Sequence, residues 1–436
     1  MSNIRWYIAA LLFFASVINY IDRQALSVVA PVLTKELNIS PIEYANILQA
    51  FLVAYTVMYV FSGVLCDRFG TRVSLAVFMV WWSISNAIHA FAQTPLHLGI
   101  FRFLLGAGES GNFMASIKAV SEWYPAKEKA FANGLINAGA AVGAIVAAPL
   151  VVWINSQYGW RAAFVITGSM GFVWLIFWLW LYYLPERHPM VNRQELEHIR
   201  HDSPAPKPLT GTLWSRWRGL LRYRQTWGLL LARVISDPVW WFYLFWLPKY
   251  LVDQRGFSMQ QMGMLSWLPY LFADVGSVVG GVGSGWLLHK LAWQPLRSRS
   301  AVMLASAALM PLSALIGFTP SNTIALSIIC LVTCAHMAWK TNLMTMTNDV
   351  YPANIVGSVA GIVAFGSGVG ATLFTALTGW LVQHFSYSAV FVIMGFLHPL
   401  SWLVVRALVR GPIAVEPEQP HLGGSNLMVD SAAKRL

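Results

Sequence analysis

The run Arg102-Phe-Leu-Leu-Gly-Ala-Gly-Glu109 lies inside an otherwise apolar stretch from Pro95 to Pro125. Read as a helix, this stretch is apolar enough to sit in lipid, yet it carries a full cation and a full carboxylate. Seven residues at about 100° each return to within roughly 20° of one face, about 10 Å further along the axis. A charge near the bilayer centre costs about 3 kcal/mol or more, so such residues face a cavity or each other and mark an ion or substrate path.

Outward from this stretch, apolar runs of about 20 residues, the length needed to cross a bilayer, recur along almost the whole chain. Of the 436 residues 57% are hydrophobic and 11% charged, and the mean hydropathy is +0.57. Soluble domains carry about 25% charged residues, which excludes that class. Strand barrels need period-2 alternation, which is absent. The expected fold class is therefore an all-α membrane protein with twelve transmembrane helices in two pseudo-symmetric six-helix bundles. Cys66, Cys330 and Cys334 form no disulfide framework.

The spans are placed at Trp6 to Leu33, Tyr44 to Leu65, Val73 to Phe91, Leu96 to Ala119, Ala130 to Trp153 and Trp160 to Leu184. The second six are Trp227 to Tyr250, Met262 to Leu288, Ala301 to Phe318, Thr323 to Thr347, Val356 to Val382 and Ala389 to Leu408. Asp22-Arg23 interrupts the first span, which argues against a cleaved signal peptide. The division is thus 1–184 for one bundle, 185–225 for a Pro- and Arg-rich linker, 226–410 for the second bundle and 411–436 for a polar tail. A surface helix is expected in the linker around Gln194 to Arg200.

The net charge of +11 is topological and does not imply nucleic acid. On the twelve-span layout Lys35, Arg161, Lys249 and Arg255 fall on one side, and Arg23, Arg102, Arg233 and Lys340 fall within spans. The remaining Lys and Arg gather on the side of the linker and both termini, which the positive-inside rule makes cytoplasmic.

The second half repeats the first. Trp123-Tyr-Pro-Ala126 returns as Val350-Tyr-Pro-Ala353, an offset of 227 residues. Without a gap the offset lays Gly134 on Gly361, Gly139 on Gly366, Gly143 on Gly370, Trp153 on Trp380, Phe164 on Phe391 and Gly168 on Gly395. Such repeats build many secondary transporters, with the site near mid-membrane between the halves.

Asp22, Arg23 and Glu109 share a depth near the midplane. Low dielectric disfavours a charged carboxylate, and an adjacent arginine restores it. That contest makes a switch: the acid takes a proton when an anionic substrate occupies the arginine, and loses it when the arginine returns. The competing structural role is a static Asp22–Arg102 salt bridge that only specifies packing. Asn137 opens the small-residue run Asn137-Ala-Gly139-Ala-Ala-Val-Gly143, where glycines serve close helix approach and the polar Asn137 favours substrate contact. Asp237 precedes the helix-breaking Pro238; it either caps that break, with Arg233 one turn earlier, or meets substrate. Trp241 and Tyr243 offer an aromatic face and a hydroxyl suited to a sugar ring. Span ten carries a polar stripe of His336, Trp339, Lys340, Asn342 and Thr345. There Lys340 either adds a second anion contact or snorkels to the interface, while Asp274 on span eight is expected in inter-helix pairing.

Together with the linker and the repeat, the loop Gly63-x-x-x-Asp67-Arg68-x-Gly70-x-Arg72 resembles the major facilitator superfamily. Its second-half counterpart, Gly281 to Lys290, lacks the aspartate. Within that superfamily the chain resembles the anion:cation symporter family over essentially all twelve spans. The carriers are Asn19-Tyr20-Ile-Asp22-Arg23, Arg102 to Glu109, Ser236 to Tyr243, Leu268 to Gly276 and His336-x-Ala-Trp339; the stretch from Ser236 is most like hexuronate permeases. The resemblance implies Asp22 and Glu109 as proton sites and Arg23 and Arg102 as managers of substrate charge. Tyr20 joins the substrate set, and Tyr55 matches a sugar-binding position, with plain packing the equal alternative. Asp67, Arg68 and Arg72 read as an inner gate. Ala140 stands where galactonate-type relatives tend to show glutamine.

No phosphate-binding loop, His-Glu-x-x-His or paired Cys-x-x-Cys is present, so no enzyme, cofactor or metal site is expected. The resulting expectation is a proton-coupled sugar-acid symporter, a hexuronate carrier by preference. The alternatives are carriers of aldonates, aldarates or aromatic carboxylates, or a non-transporting sensor on the same fold. Its partners would be a small organic anion, protons and the lipid bilayer, in a monomer of the bacterial inner membrane with both termini cytoplasmic.

Overall fold

The computed structural model describes residues 3–200 and 213–413. The middle of the linker and the tail from 414 onward lie outside the described residues. The elements are helical throughout the described residues, and the spans follow the order expected from hydropathy.

Spans 1 to 4 are Ile4–Glu36, Pro41–Phe69, Thr71–Ala87 with a 3-10 turn, and Pro95–Trp123. Spans 5 and 6 form the continuous element Ala126–Leu181, broken at Gly159, whose φ of 79° turns the chain back. Gly70 does the same between spans 2 and 3 with φ 78°. A side chain there would be strained, which explains a glycine at each turn. The linker contains the expected surface helix, Arg193–Arg200. Glu195 on it accepts from the backbone N–H groups of Ile4 and Arg5, at 3.1 and 3.2 Å.

Span 7 is split into Arg224–Ser236 and Pro238–Asp253, because Pro238 has no N–H to continue the ladder. Span 8 comprises Met259–Leu265 and Leu268–Lys290, and span 9 is Pro295–Leu309 with the 3-10 segment Met310–Gly317. Spans 10 to 12 are Asn322–Val350, Ala353–His384 and Tyr387–Leu408. Ten helices among the described residues are long and apolar enough to cross a membrane, one of them covering both spans 5 and 6. Span 4 stands outside that set; Arg102, Glu109, Lys118 and Glu122 lower its hydropathy.

The repeat is physical. Spans 4 and 10 each have 29 residues, and both ends are related by the 227-residue offset. Thr94 and Ser321 cap them by accepting from His97 N and Ile324 N, again 227 apart. Span 5 backs onto span 1 and span 11 onto span 7 through matching glycines. A Cβ at Gly139 or Gly143 would strike the carbonyls of Phe13 and Val17, and one at Gly366 or Gly370 those of Leu230 and Val234. Both pairs are four residues apart, so one ridge fits one groove twice.

Spans 1–6 pack among themselves, as do spans 7–12. The hydrogen bonds that join the two sets among the described residues lie in the part of the bundle away from the linker. Tyr44 Oη donates to Phe245 O at 2.8 Å, Gln49 Nε2 to Thr372 O at 3.1 Å, Lys249 Nζ to Thr34 Oγ1 at 3.1 Å, and Ile42 N to Gln383 Oε1 at 3.2 Å.

Gly370→Ala should cost about 1–3 kcal/mol or more, because its methyl has no room at the Val234 carbonyl. Gly134→Ala, in open space, should not destabilise the protein. Thermal unfolding of the purified variants measures the difference, and equal melting temperatures would refute the shared groove.

Candidate functional site

A cavity of about 460 Å³ lies between the two sets of spans and is walled by both. With the two sets joined on the far side, it faces the linker end.

On the first-half wall, Arg23 Nε donates to Glu109 Oε2 at 2.8 Å, and both side chains are buried. Arg23 Nη2 donates to Asn19 Oδ1 at 3.0 Å, one helical turn earlier. The guanidinium carbon sits 4.8 Å from the Tyr20 ring centre and 4.9 Å from that of Tyr55. Glu109 Oε1 meets no protein partner.

Asp22 does not share this wall. Adjacent helical residues point about 100° apart, so Asp22 turns behind, toward spans 3 and 6. There its Oδ1 accepts from Asn86 Nδ2 at 2.7 Å, and Asn86 also donates to Thr167 Oγ1 at 2.8 Å. Arg102 does not line the cavity either. Its Nη2 donates to the Arg23 carbonyl at 2.9 Å, and its guanidinium carbon lies 5.2 Å from the Phe51 ring and 5.9 Å from the Phe245 ring. No ion pair joins Asp22 to Arg102 among the described residues.

On the second-half wall Arg233 Nη2 and Asp237 Oδ2 stand 2.7 Å apart, and the Ser367 hydroxyl donates to the same oxygen. Asp237 stands at the N-cap position before Pro238, but its side chain makes no capping hydrogen bond there and lines the cavity instead. Lys340 and Asp274 also line the cavity, and neither enters an ion pair among the described residues. Trp241 closes toward the first half, its ring 6.2 Å from that of Tyr55.

Of the substrate contacts expected from sequence, Tyr20, Arg23, Tyr55, Asn137, Asp237 and Trp241 line the cavity. Arg102, Tyr243, Trp339 and Asn342 are buried outside its lining. Asn342 donates to Gly280 O at 2.9 Å, and Trp339 packs 5.3 Å from His398. The expected gate residues stand at the linker end of spans 2 and 3. Asp67 pairs with Lys118 at 2.8 Å, Arg72 stacks 4.0 Å from the Tyr183 ring, and Arg68 lies exposed over Phe69. None of the three reaches the second half.

Ser367, Asn112, Thr56 and Trp240 line the cavity without having been expected there. The repeat carried the signal for Ser367. The 227-residue offset lays Asn137, Ala140 and Ala141 on Ala364, Ser367 and Gly368, and all six line the cavity. Chemically, the wall holds two ion pairs that neutralise themselves, and a lysine and an aspartate, Lys340 and Asp274, that enter no ion pair among the described residues. An incoming anion meets Lys340 directly and gains Arg23 once Glu109 is protonated.

The family model of the Major Facilitator Superfamily matches residues 12–366. The chain is 32% identical to a hexuronate transporter of Escherichia coli (strain K12), over 96% of this chain and 97% of that protein. It is 35% identical to a galacturonate transporter of Dickeya chrysanthemi, over 64% of this chain and 81% of the relative. Among solved structures, a bacterial homolog of the human lysosomal transporter Spinster, inward-facing and unoccupied, superposes with a TM-score of 0.74. That match is 17% identical, covers 94% of this chain and 98% of the other, and shows likeness of fold.

In a background with Cys66, Cys330 and Cys334 replaced by serine, Asn137→Cys should react with a water-soluble thiol reagent. Asn342→Cys, one of the buried positions, should not. Mass spectrometry of the labelled protein reads both, and equal labelling would contradict the cavity walls drawn above.

Proposed function

We propose, on the premise that this chain belongs to the major facilitator superfamily, that it is a secondary transporter carrying a hexuronate such as galacturonate or glucuronate by alternating access, with protons as the coupling ion. The observation that carries the reading is the buried Arg23–Glu109 ion pair on the cavity wall. Removing one partner from a buried pair costs about 3–5 kcal/mol, because the other charge is stranded. Glu109 therefore holds Arg23 until it takes a proton, and a substrate carboxylate then replaces it in the fork of the guanidinium. Neither empty step is cheap alone, so proton and anion travel together.

The hydroxyls of the sugar ring meet Asn137, Tyr20 and Tyr55, and its apolar face meets Trp241. Asp22, held by Asn86 behind the wall, is assigned a second proton role through span 1. Arg102 stabilises the roof over the cavity through the Arg23 carbonyl, and Asp67, Arg68 and Arg72 gate the linker end. Tyr243, Trp339 and Asn342 support the second wall from behind. The protein works as a monomer in the bacterial inner membrane, with the linker end cytoplasmic, so the arrangement of spans is inward-open. Residues 1–184 and 226–410 are the two moving bundles. Hexuronate relatives over most of the chain support the substrate class, and the placement of Lys and Arg supports the orientation.

Glu109→Gln should lower pH-driven accumulation in vesicles at least tenfold while leaving counterflow exchange intact. Undiminished accumulation would sink the proton role. Arg23→Ala should weaken uronate binding at least tenfold, about 1.4 kcal/mol. A purified-protein panel of uronates, aldonates and aldarates, read by calorimetry, tests the substrate, and preference for an aldonate would replace the hexuronate.

A further inference from the structure

Two buried histidines behind the second-half wall take no part in the scheme above. The offset that lays Asn322–Val350 on Pro95–Trp123 puts His336 in the place of Glu109. His336 Nδ1 lies 3.0 Å from Nε2 of His398 on span 12, and both rings are fully buried. One nitrogen of that contact donates and the other accepts, so the neutral pair has one bridging proton. The outward nitrogens, His336 Nε2 and His398 Nδ1, meet no protein partner. One of the two is consequently a bare acceptor with room for a second proton.

The pair is connected to the cavity through one indole. The Trp240 ring, part of the wall, lies parallel to His336 at 6.1 Å between centres, and Lys340 Nζ stands 5.8 Å from the same indole. The charged groups in electrostatic reach of the pair are Lys340 on span 10 and Arg233 and Asp237 on span 7. On span 8 Asp274 lines the cavity together with Lys340 and Trp240, and span 12 presents His398. Asp237 keeps one oxygen, Oδ1, without a partner.

We propose that the His336–His398 pair is a further proton-binding site, in addition to Glu109 and Asp22, loaded when an anion occupies the cavity beside Lys340. With the cavity empty, Lys340 has no ion-pair partner of its own among the described residues, Asp237 being already paired with Arg233, and a proton on the histidine pair would add a further positive charge in low dielectric. A bound carboxylate removes that penalty. Linkage makes the effect reciprocal, so protonation of the pair raises anion affinity by the same factor. The inference rests on the anion-transport reading and adds to Glu109 a proton carried by the opposite half.

The test begins from Glu109→Gln made in an Asp22→Asn background, used for every measurement below, which removes both proton sites named above. Galacturonate affinity of that variant, measured on purified protein from pH 8 to pH 5, should still rise as pH falls, with a slope approaching tenfold per pH unit. The ligand's own carboxyl stays ionised over this range. Adding His398→Gln, or separately His336→Gln, should flatten the profile to within about twofold. A flat profile in Glu109→Gln alone overturns the proposal, as does a slope that survives both histidine substitutions. Proton uptake on adding galacturonate to Glu109→Gln protein in weak buffer needs no histidine variant. Uptake approaching one proton per ligand, about the full linkage value, is expected at the acid end, and none overturns the proposal. The two readings fail separately: a wild type that binds no hexuronate defeats the substrate, while a binding wild type with a flat Glu109→Gln profile defeats the histidine pair alone.

Discussion

The interaction on which the rest depends is the 2.8 Å contact between Arg23 and Glu109. Either charge alone would be expensive at this depth, and together they cancel. The pair brings span 1 against span 4 and fixes the wall of the cavity. The Arg23 carbonyl, oriented by the backbone of span 1, accepts from Arg102, whose guanidinium roofs the site between Phe51 and Phe245. A proton on Glu109 therefore does more than neutralise one oxygen. It frees the cation that an anionic substrate needs, at the one place where both halves can touch that substrate.

The repeat supplies the frame, and departures from it supply the chemistry. Helix length, capping residue and glycine contact are reproduced at a constant offset between the halves. These are packing features, and two bundles that rock against each other need matching packing surfaces. The side chains at and behind the cavity wall differ at the same offset: Phe113 against Lys340 and Ala140 against Ser367 on the wall, and Glu109 on it against His336 behind it. A hexuronate has a charged end and a hydroxylated ring, so a site made of two identical walls would fit neither end well.

Much of the fold was legible because hydropathy and turn glycines act locally. Span limits, the 159 and 70 turns, the linker helix and the break at Pro238 all follow from nearby residues. The site was legible in depth and less so in direction. Counting residues gives height along a helix, and the Arg23–Glu109 contact joins two groups that the count put at one level. Facing depends on rotation, and the adjacency of Asp22 and Arg23 already excluded a shared face. Arg102 shares a face with Glu109, as seven-residue spacing requires, but about 10 Å of rise carries it past the cavity roof. Trp339 and Asn342 sit on the buried side of span 10, while Lys340 between them turns inward. Partners such as Asn86, Lys118 and His398 were beyond reach, since each comes from a helix whose azimuth only tertiary packing sets.

The distribution of strong and weak contacts then explains how such a site could alternate. The ion pairs resolved among the described residues stay within one half or within the linker, or join the first half to the linker. At the linker end these include Arg5 with Glu128 and Glu195, Asp67 with Lys118, and Arg299 with Asp349. Hydrogen bonds between the halves join no opposite charges; the neutral ones contribute about 0.5–1.5 kcal/mol each and the one donated by the Lys249 ammonium about 1.5–3 kcal/mol. Each half is thus stiffened internally by contacts that are costly to break, while the halves meet through contacts that are cheap to exchange. Motion follows the cheaper set. A rigid rocking about the buried cavity breaks the far-side bonds of Tyr44, Gln49 and Lys249 and leaves the Arg23–Glu109 pair intact, so it is the proton and the anion that decide when that pair opens.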